Sequence, residues 1–253
     1  MQFKRYTPAA FLQPFVDAFL TIESEQGMES RVLPDTSVVM AFRYKGSVVY
    51  RENALPVSVI SGLRKSPRLL GYARETGNLL VVFKPGGAAA FFKEPLHELF
   101  DASIALENLI LPGELSEVED RLASAETNPQ RILIIEQFLF ARFREARPDQ
   151  LVLHALDRIK SANGGLRIKD LITELNISRD PFEKRFRRAI GTSPKQFSTI
   201  VRLRNLIATF PQAENLTDAA HTAGYFDQAH FIKDFTSFTG QAPKAFFKKA
   251  SFW

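Results

Sequence analysis

The sequence predicts an α+β protein. We expect a β-rich, sandwich-like or barrel-like N-terminal domain with helices, then an all-α domain with two helix-turn-helix motifs joined by a linker helix. Three observations lead to this prediction: a 20-residue segment occurs twice near the C-terminus, short β-branched runs fill residues 31–83, and basic residues are concentrated after residue 150. The polar segment Glu145–Gln150, which contains a proline, places the boundary between domains 1–150 and 151–253.

The duplicated segment begins at Ser178 in the first copy and at Asp227 in the second. Seven residues match at an offset of 49 positions, and unrelated segments would rarely share them in register, so the match indicates an internal duplication. The matching residues are Phe182 and Phe231, Lys184 and Lys233, Phe186 and Phe235, Gly191 and Gly240, Pro194 and Pro243, Lys195 and Lys244, and Phe197 and Phe246.

Each copy has the pattern of a capped amphipathic helix. In the first copy, Phe182, Phe186 and Ile190 recur at four-residue spacing, which places them on one face of a helix. Ser178 precedes this face as an N-cap residue type, and Gly191 follows it where a left-handed residue would end the helix. The second copy repeats this arrangement, with Asp227 as its N-cap residue and Gly240 at its end.

A shorter amphipathic segment precedes each copy, over residues 168–175 and 216–223, and a tight turn separates the two parts. A short helix, a tight turn and a capped second helix are typical of the helix-turn-helix motif. Between the motifs, Pro194–Phe210 predicts one longer linker helix with an apolar face.

At these residues the chain resembles the AraC/XylS family of transcriptional regulators over roughly residues 151–249. The run Gly224–Phe231 is close to the second-motif signature of that family, and the fixed spacing of two motifs makes the resemblance specific. It implies a cytoplasmic regulator that binds double-stranded promoter DNA through both motifs. The stiff linker helix would let the two recognition helices enter successive major-groove segments about 34 Å apart.

Recognition-helix positions that do not face the core are candidates for reading bases, because Lys, Gln and Glu side chains match particular base edges in the major groove. The resemblance implies as base-reading residues Asp180, Glu183, Lys184, Gln228, Ala229, His230 and Lys233. Phosphate contacts position a protein on DNA without reading its sequence. For these we expect Ser178, Arg187, Arg188, Lys195, Arg202, Lys244, Lys248 and Lys249.

The chain also departs from the family pattern. Asp180 and Glu183 bring negative charge close to DNA, so the first recognition helix is expected to read few bases. Thr236 and Ser237 replace the basic residues that usually follow the second Phe, which removes phosphate anchors. Two core positions also differ from the family: Leu206 is larger than the usual alanine, and Ala219 is smaller than the usual aliphatic residue. These differences predict looser packing of the second motif.

Residues 31–83 contain short apolar runs separated by Gly and Pro, which predicts antiparallel strands in a sandwich or small barrel. Residues 10–22 are apolar at both helical and strand spacing, so their type stays open. The Gly-Gly of Phe83–Phe92 predicts a tight strand-to-helix turn packed under the sheet rather than an anion site, because the phosphate-loop pattern is absent. Parts of residues 34–109 also resemble, more weakly, the sensor-like N-terminal domain of one AraC-type subgroup.

Residues 95–150 are predicted to be helical, with helices over Leu115–Ala125 and Arg131–Arg144. The second has a wide apolar face, which fits packing against the β domain or a dimer surface. The N-terminal domain is therefore expected to sense a small-molecule effector or to mediate homodimerisation. The alternative is that it binds no ligand and acts as an oligomerisation or RNA-polymerase contact surface.

Composition excludes several other classes of protein. No cysteine is present, which removes disulfides, thiolate nucleophiles and zinc fingers, and no run is apolar enough to span a membrane. Residues 151–253 hold 16 Lys and Arg against 9 Asp and Glu, a net charge of +7, which favours a polyanionic partner. No catalytic motif is found, so we expect neither an enzyme nor a cofactor. No metal site is expected from the four histidines: His97, His154, His221 and His230.

Overall fold

The computed structural model describes residues 2–145, 148–210, 220, 224–225 and 227–248. The chain divides into two compact units. The first contains Met1–Ser30, Ser37–Leu63 and Leu69–Arg147, and the second contains Pro148–Trp253 together with the segments Arg31–Thr36 and Arg64–Arg68. No helix in the described part of the chain is long and apolar enough to cross a membrane.

The first unit is built on one eight-stranded sheet, as its β-rich sequence predicts. The strand order is β1-β2-β7-β3-β6-β8, and β4 pairs with both β5 and β7. The strands are β1 (Gln2–Tyr6), β2 (Val16–Val32), β3 (Val39–Lys45), β4 (Val48–Tyr50), β5 (Asn53–Ala54), β6 (Ser58–Ser61), β7 (Arg68–Phe83) and β8 (Ser103–Ala105).

The structure settles the type of one segment that the sequence left open, and it differs from the prediction at two places. The open segment 10–22 becomes a turn followed by the start of β2, and β8 lies in the region expected to be helical. Two predicted strands fuse into the 16-residue β7, which runs through Gly77 without a break. A Cβ on Gly77 would lie 2.3 Å from the ring of Tyr44, so this glycine gives room to a neighbouring strand rather than ending its own.

The Gly-Gly turn after β7 leads into a single 3-10 turn, Gly87–Ala90, instead of the expected helix. Gly86 has a left-handed backbone conformation, with φ of 82°. A Cβ on Gly87 would lie 2.1 Å from the carbonyl oxygen of Phe15, so the backbones approach too closely for any side chain. The two glycines therefore allow a tight turn that packs closely on the segment before β2.

Two helices of this unit pack together, α1 (Pro112–Ser124) and α2 (Asn128–Arg142). Phe138 of α2 meets Phe42 of β3 edge to face, with ring centroids 5.9 Å apart, so α2 covers the sheet. A polar network adds to this contact, because Glu23 accepts hydrogen bonds from the Tyr44 hydroxyl at 2.8 Å and from Asn128 at 3.0 Å. Both contacts fix α2 on the sheet.

The second unit is helical among its described residues, as predicted. Its helices are α3 (Gln150–Ser161), α4 (Ile168–Glu174), α5 (Arg179–Ile190), α6 (Pro194–Thr209), α7 (Gln228–Thr239) and α8 (Pro243–Lys248). Helix α5 packs on α3 and α6, and α7 packs on α8.

Candidate nucleic-acid interface

The first motif consists of α4, a tight turn and α5. Asn176 in the turn has a positive φ of 48°, a conformation that asparagine tolerates better than most residues. On α5, Phe182, Phe186 and Ile190 are buried, and Gly191 ends the helix in the left-handed conformation, with φ of 95°. The predicted helix face and C-terminal glycine are both confirmed.

The duplication is visible in the packing of aromatic rings. Phe186 lies 5.7 Å from Phe182 and 5.8 Å from Phe197 between ring centroids. In the second copy, Phe235 lies 5.5 Å from Phe231 and 5.4 Å from Phe246. Each of these residues is displaced by 49 positions from its counterpart, so both recognition helices, α5 and α7, rest on the same aromatic frame.

The two N-caps differ. The Asp227 carboxylate accepts a hydrogen bond from the backbone N–H of His230 at 2.7 Å, which caps α7. Ser178 occupies the N-cap position of α5, but its side chain makes no capping hydrogen bond. The prediction for Ser178 is therefore correct in position and wrong in contact, which leaves its exposed hydroxyl at the start of the recognition helix.

Some predicted features lie outside the described residues. They include most of the short segment 216–223 ahead of α7, and also Ala219, His221 and Lys249. Leu206, which was expected to loosen the second motif, is buried at 2% exposure. Thr236 and Ser237 lie exposed on α7.

The predicted base-reading residues lie on the outer faces of α5 and α7. Six of the seven are exposed: Asp180, Lys184, Gln228, Ala229, His230 and Lys233. Glu183 is half-buried and lies between two arginines of its own helix, with carboxylate oxygens 3.4 Å from Arg179 Nε and 3.9 Å from Arg187 Nη2. Both contacts are i,i+4 pairs on the surface of α5, and such exposed pairs contribute little to stability.

The predicted phosphate contacts fall into two groups. The exposed ones are Ser178, Arg187, Arg188, Lys195, Lys244 and Lys248. Arg202 differs, because its side chain is only 20% exposed and its Nη2 lies 3.5 Å from the Asp234 carboxylate of α7. This guanidinium faces the protein rather than the surface. Arg202 therefore has a partner that the sequence analysis did not anticipate.

Arg185 shows why not every cation on α5 is available to a partner. Its guanidinium donates two hydrogen bonds to Asp149, at 2.7 and 2.8 Å, while the same carboxylate caps α3 by accepting from the N–H groups of Leu151 and Val152. The Arg185 hydrogen bond lowers the pKa of Asp149 below its ordinary value of 3.8. Asp149 thus ties the recognition helix to α3.

Replacing Asp149 by Ala should lower the free energy of unfolding by about 1–2 kcal/mol at pH 7, since a cap and an ion pair are lost together. A lowered pKa contributes stability above the ordinary carboxyl pKa, and this contribution disappears as pH falls through the folded pKa. The difference between wild type and variant in urea unfolding should therefore be constant from pH 5 to 8 and shrink below about pH 4. A difference that persists unchanged to pH 3 would contradict this role.

Three of the four histidines lie among the described residues. The Nε2 of His154 lies 3.4 Å from a carboxylate oxygen of Glu174, and His97 lies in a 3-10 turn of the other unit. Among the described residues, no group of three or more His, Asp and Glu side chains is placed to hold a metal ion.

Comparison with known proteins agrees with this geometry. Residues 171–249 match a family described as a helix-turn-helix domain, and residues 4–105 match a domain of unknown function. The lactose operon transcription activator of Staphylococcus xylosus is 24% identical over 166 residues, covering 57% of this chain and 60% of that protein. The Msm operon regulatory protein of Streptococcus mutans is 24% identical over 139 residues, covering 53% and 50%.

The family match covers both recognition helices, and both relatives are transcriptional regulators by name. Residues 171–249 therefore form an AraC-type helix-turn-helix domain. The chain spans about half to three-fifths of the length of the two relatives. Among solved structures, ToxT from Vibrio cholerae is similar with a TM-score of 0.46 and 11% identity, over 98% of both chains.

Proposed function

We propose that this protein regulates transcription by placing α5 and α7 in two successive major-groove segments of promoter DNA. The single observation that supports this most strongly is the repeated aromatic frame, because it presents two equivalent helices with exposed polar faces on one folded unit. The net charge of +7 over residues 151–253 adds a general attraction for the phosphate backbone.

In this proposal the exposed residues of α7 read bases and the arginines of α5 anchor phosphates. Replacing Lys233 by Ala should weaken binding by about 1–3 kcal/mol and change the preference at one base pair, because a lysine at a base edge discriminates between bases. Replacing Arg187 by Ala should weaken all sequences alike and reduce the salt slope by about one unit.

The measurement is a binding-site selection on a random duplex library, followed by titrations of each variant with the selected duplex. If Lys233→Ala weakens every sequence equally while Arg187→Ala changes the preferred base, the assignment of readers and anchors is wrong. Glu183→Ala is a useful third variant, because removing this acid should relax preference at one position without loss of overall affinity.

For the N-terminal unit we infer a role in association of two copies, and one observation favours it over effector sensing. Helix α2 exposes two large apolar side chains, Leu133 at 55% and Phe140 at 67%. The ring of Phe11, itself 41% exposed, lies 5.2 Å from Phe140, and a shallow cleft of about 500 Å³ beside Leu133 extends the same surface. Contiguous exposed apolar side chains of this kind mark interaction sites.

Replacing Phe140 by Glu should raise the dissociation constant of a dimer at least about tenfold, since a buried charge would replace an apolar contact. Sedimentation equilibrium of the full chain measures this, and Leu111→Glu, at a leucine that is 75% exposed elsewhere in the unit, is the matched control. A dimer that is insensitive to Phe140→Glu, or a monomer at high concentration, would contradict this role. In that case a small-molecule screen by thermal shift would test effector sensing, because a ligand of the folded state raises its stability.

A further inference from the structure

Arg202 lies at a junction of three side chains within the C-terminal unit. Its guanidinium stacks over the ring of Tyr225 at 4.2 Å from the centroid, and its Nη2 lies 3.5 Å from Asp234 Oδ2. The Tyr225 hydroxyl donates a hydrogen bond to the same Asp234 oxygen at 3.4 Å. We call these three residues the Arg202 cluster. It joins the linker helix α6 to the second recognition helix α7.

Tyr225 connects the Arg202 cluster to the core of the second motif. The residue is 4% exposed, and its ring packs edge to face on Phe231 with centroids 5.4 Å apart. Burial raises the pKa of the Tyr225 phenol to about 12, so it remains a hydrogen-bond donor to Asp234 at physiological pH. Moving Arg202 would therefore disturb both the acid on α7 and the aromatic frame beneath it.

The same turn of α6 also contacts the turn that leads into the first motif. Gly164, in the turn between α3 and α4, has φ of 74°, and a Cβ there would lie 2.6 Å from the backbone nitrogen of Arg202. The Ser198 hydroxyl donates a hydrogen bond of 2.8 Å to the Gly164 carbonyl. One turn of α6, from Ser198 to Arg202, thus contacts both the second motif and the turn that leads into the first, and α6 itself packs on α5.

We propose that Arg202 is a positioning residue that sets the orientation of α7 relative to α5, and not a phosphate ligand. This inference rests on the proposed function, in which both helices must enter DNA together and their relative orientation therefore matters. The guanidinium is mostly shielded from solvent. Removing the carboxylate partner of a buried cation costs more free energy of folding than the ion pair itself contributes. Asp234 also lies 3.4 Å from the Nε2 of His230, so the Arg202 cluster reaches a candidate base-reading side chain directly.

The two roles predict opposite results on DNA. If Arg202 positions α7, then Arg202→Met should leave the salt slope unchanged and weaken discrimination about tenfold at the base pairs that α7 reads. Asp234→Asn should have the same effect. If Arg202 binds phosphate, Arg202→Met should lower the slope by about one, and Asp234→Asn should strengthen binding because it frees the cation. The probe is the duplex selected from a random library by the full-length wild type.

Lys195→Met is the matched control, because Lys195 is an exposed cation on the first turn of α6. This variant should lower the slope of log K against log salt by about one and retain discrimination at the base pairs that α5 and α7 read. A result in which Arg202→Met behaves like Lys195→Met would overturn the positioning role.

Hydrogen exchange without DNA separates this inference from the proposed function. Arg202→Met and Asp234→Asn should each accelerate exchange of the α7 amides by about tenfold, while the α5 amides keep their wild-type rates. Unchanged α7 exchange in both variants would overturn the proposal whatever the DNA results are. The two conclusions can also separate. If both variants accelerate α7 exchange but the wild type selects no DNA sequence, the proposed function is refuted and the positioning role remains supported.

Discussion

Replacing Phe186 by Ala should lower the free energy of unfolding of the C-terminal unit by about 3–5 kcal/mol, a large part of the stability of an ordinary domain. The side chain is fully buried, and it contacts the rings of Phe182 and Phe197, so truncation leaves a cavity that the neighbouring rings cannot fill without moving. The duplication predicts a loss of similar size for Phe235→Ala, because this residue holds the equivalent position beneath α7.

Chemical unfolding followed by circular dichroism measures these losses. Leu153→Ala is the control, since Leu153 is 40% exposed on α3 of the same unit and should cost well under 1 kcal/mol. If Phe186→Ala were no more destabilising than Leu153→Ala, the aromatic frame would not be the core of the motif.

Raising the salt concentration from 50 to 200 mM should weaken DNA binding by about 10³-fold. The expected phosphate contacts, without Ser178 and the enclosed Arg202, comprise six cations: Arg187, Arg188, Lys195, Lys244, Lys248 and Lys249. Each contact releases counterions from the duplex, which predicts a slope of about −5 in a plot of log K against log salt. Fluorescence anisotropy titrations at several salt concentrations measure this slope.

A binding constant that is flat over this salt range would show that the basic residues do not face phosphates. A smaller negative slope would show that fewer cations are in contact with DNA. Lys195→Met and Arg187→Ala should each reduce the slope by about one, which assigns individual contacts within the set.

The sequence predicted what depends on local spacing. The buried face of α5, the left-handed glycine that ends it and the equivalent residues of α7 all follow from side-chain periodicity and backbone preference, which a short segment carries within itself. The charged contacts could not be predicted in this way. Arg202 and Asp234 are 32 positions apart in the sequence, so no local spacing indicates their contact, and only the tertiary fold brings the two side chains together.

In the N-terminal unit, too, contacts between distant segments decide features that the local sequence does not predict. Glycine weakens strands in general, which predicts a break at Gly77, yet β7 continues through this residue, and the ring of Tyr44 packs where a side chain would lie. Strand β8 was missed because three residues are too few for a periodic signal, and its pairing with β6 decides its conformation.

The most direct test of two recognition helices on one frame is the spacing of the sequence that the full-length protein selects from a random duplex library. We predict a strong block read by α7 and, centred about 10 bp or one helical turn of DNA away, a weaker block of few preferred base pairs read by α5, with the preference at one base pair of the α7 block lost in Lys233→Ala. A single short block, two blocks at variable spacing, or no enrichment over random sequence would contradict the account.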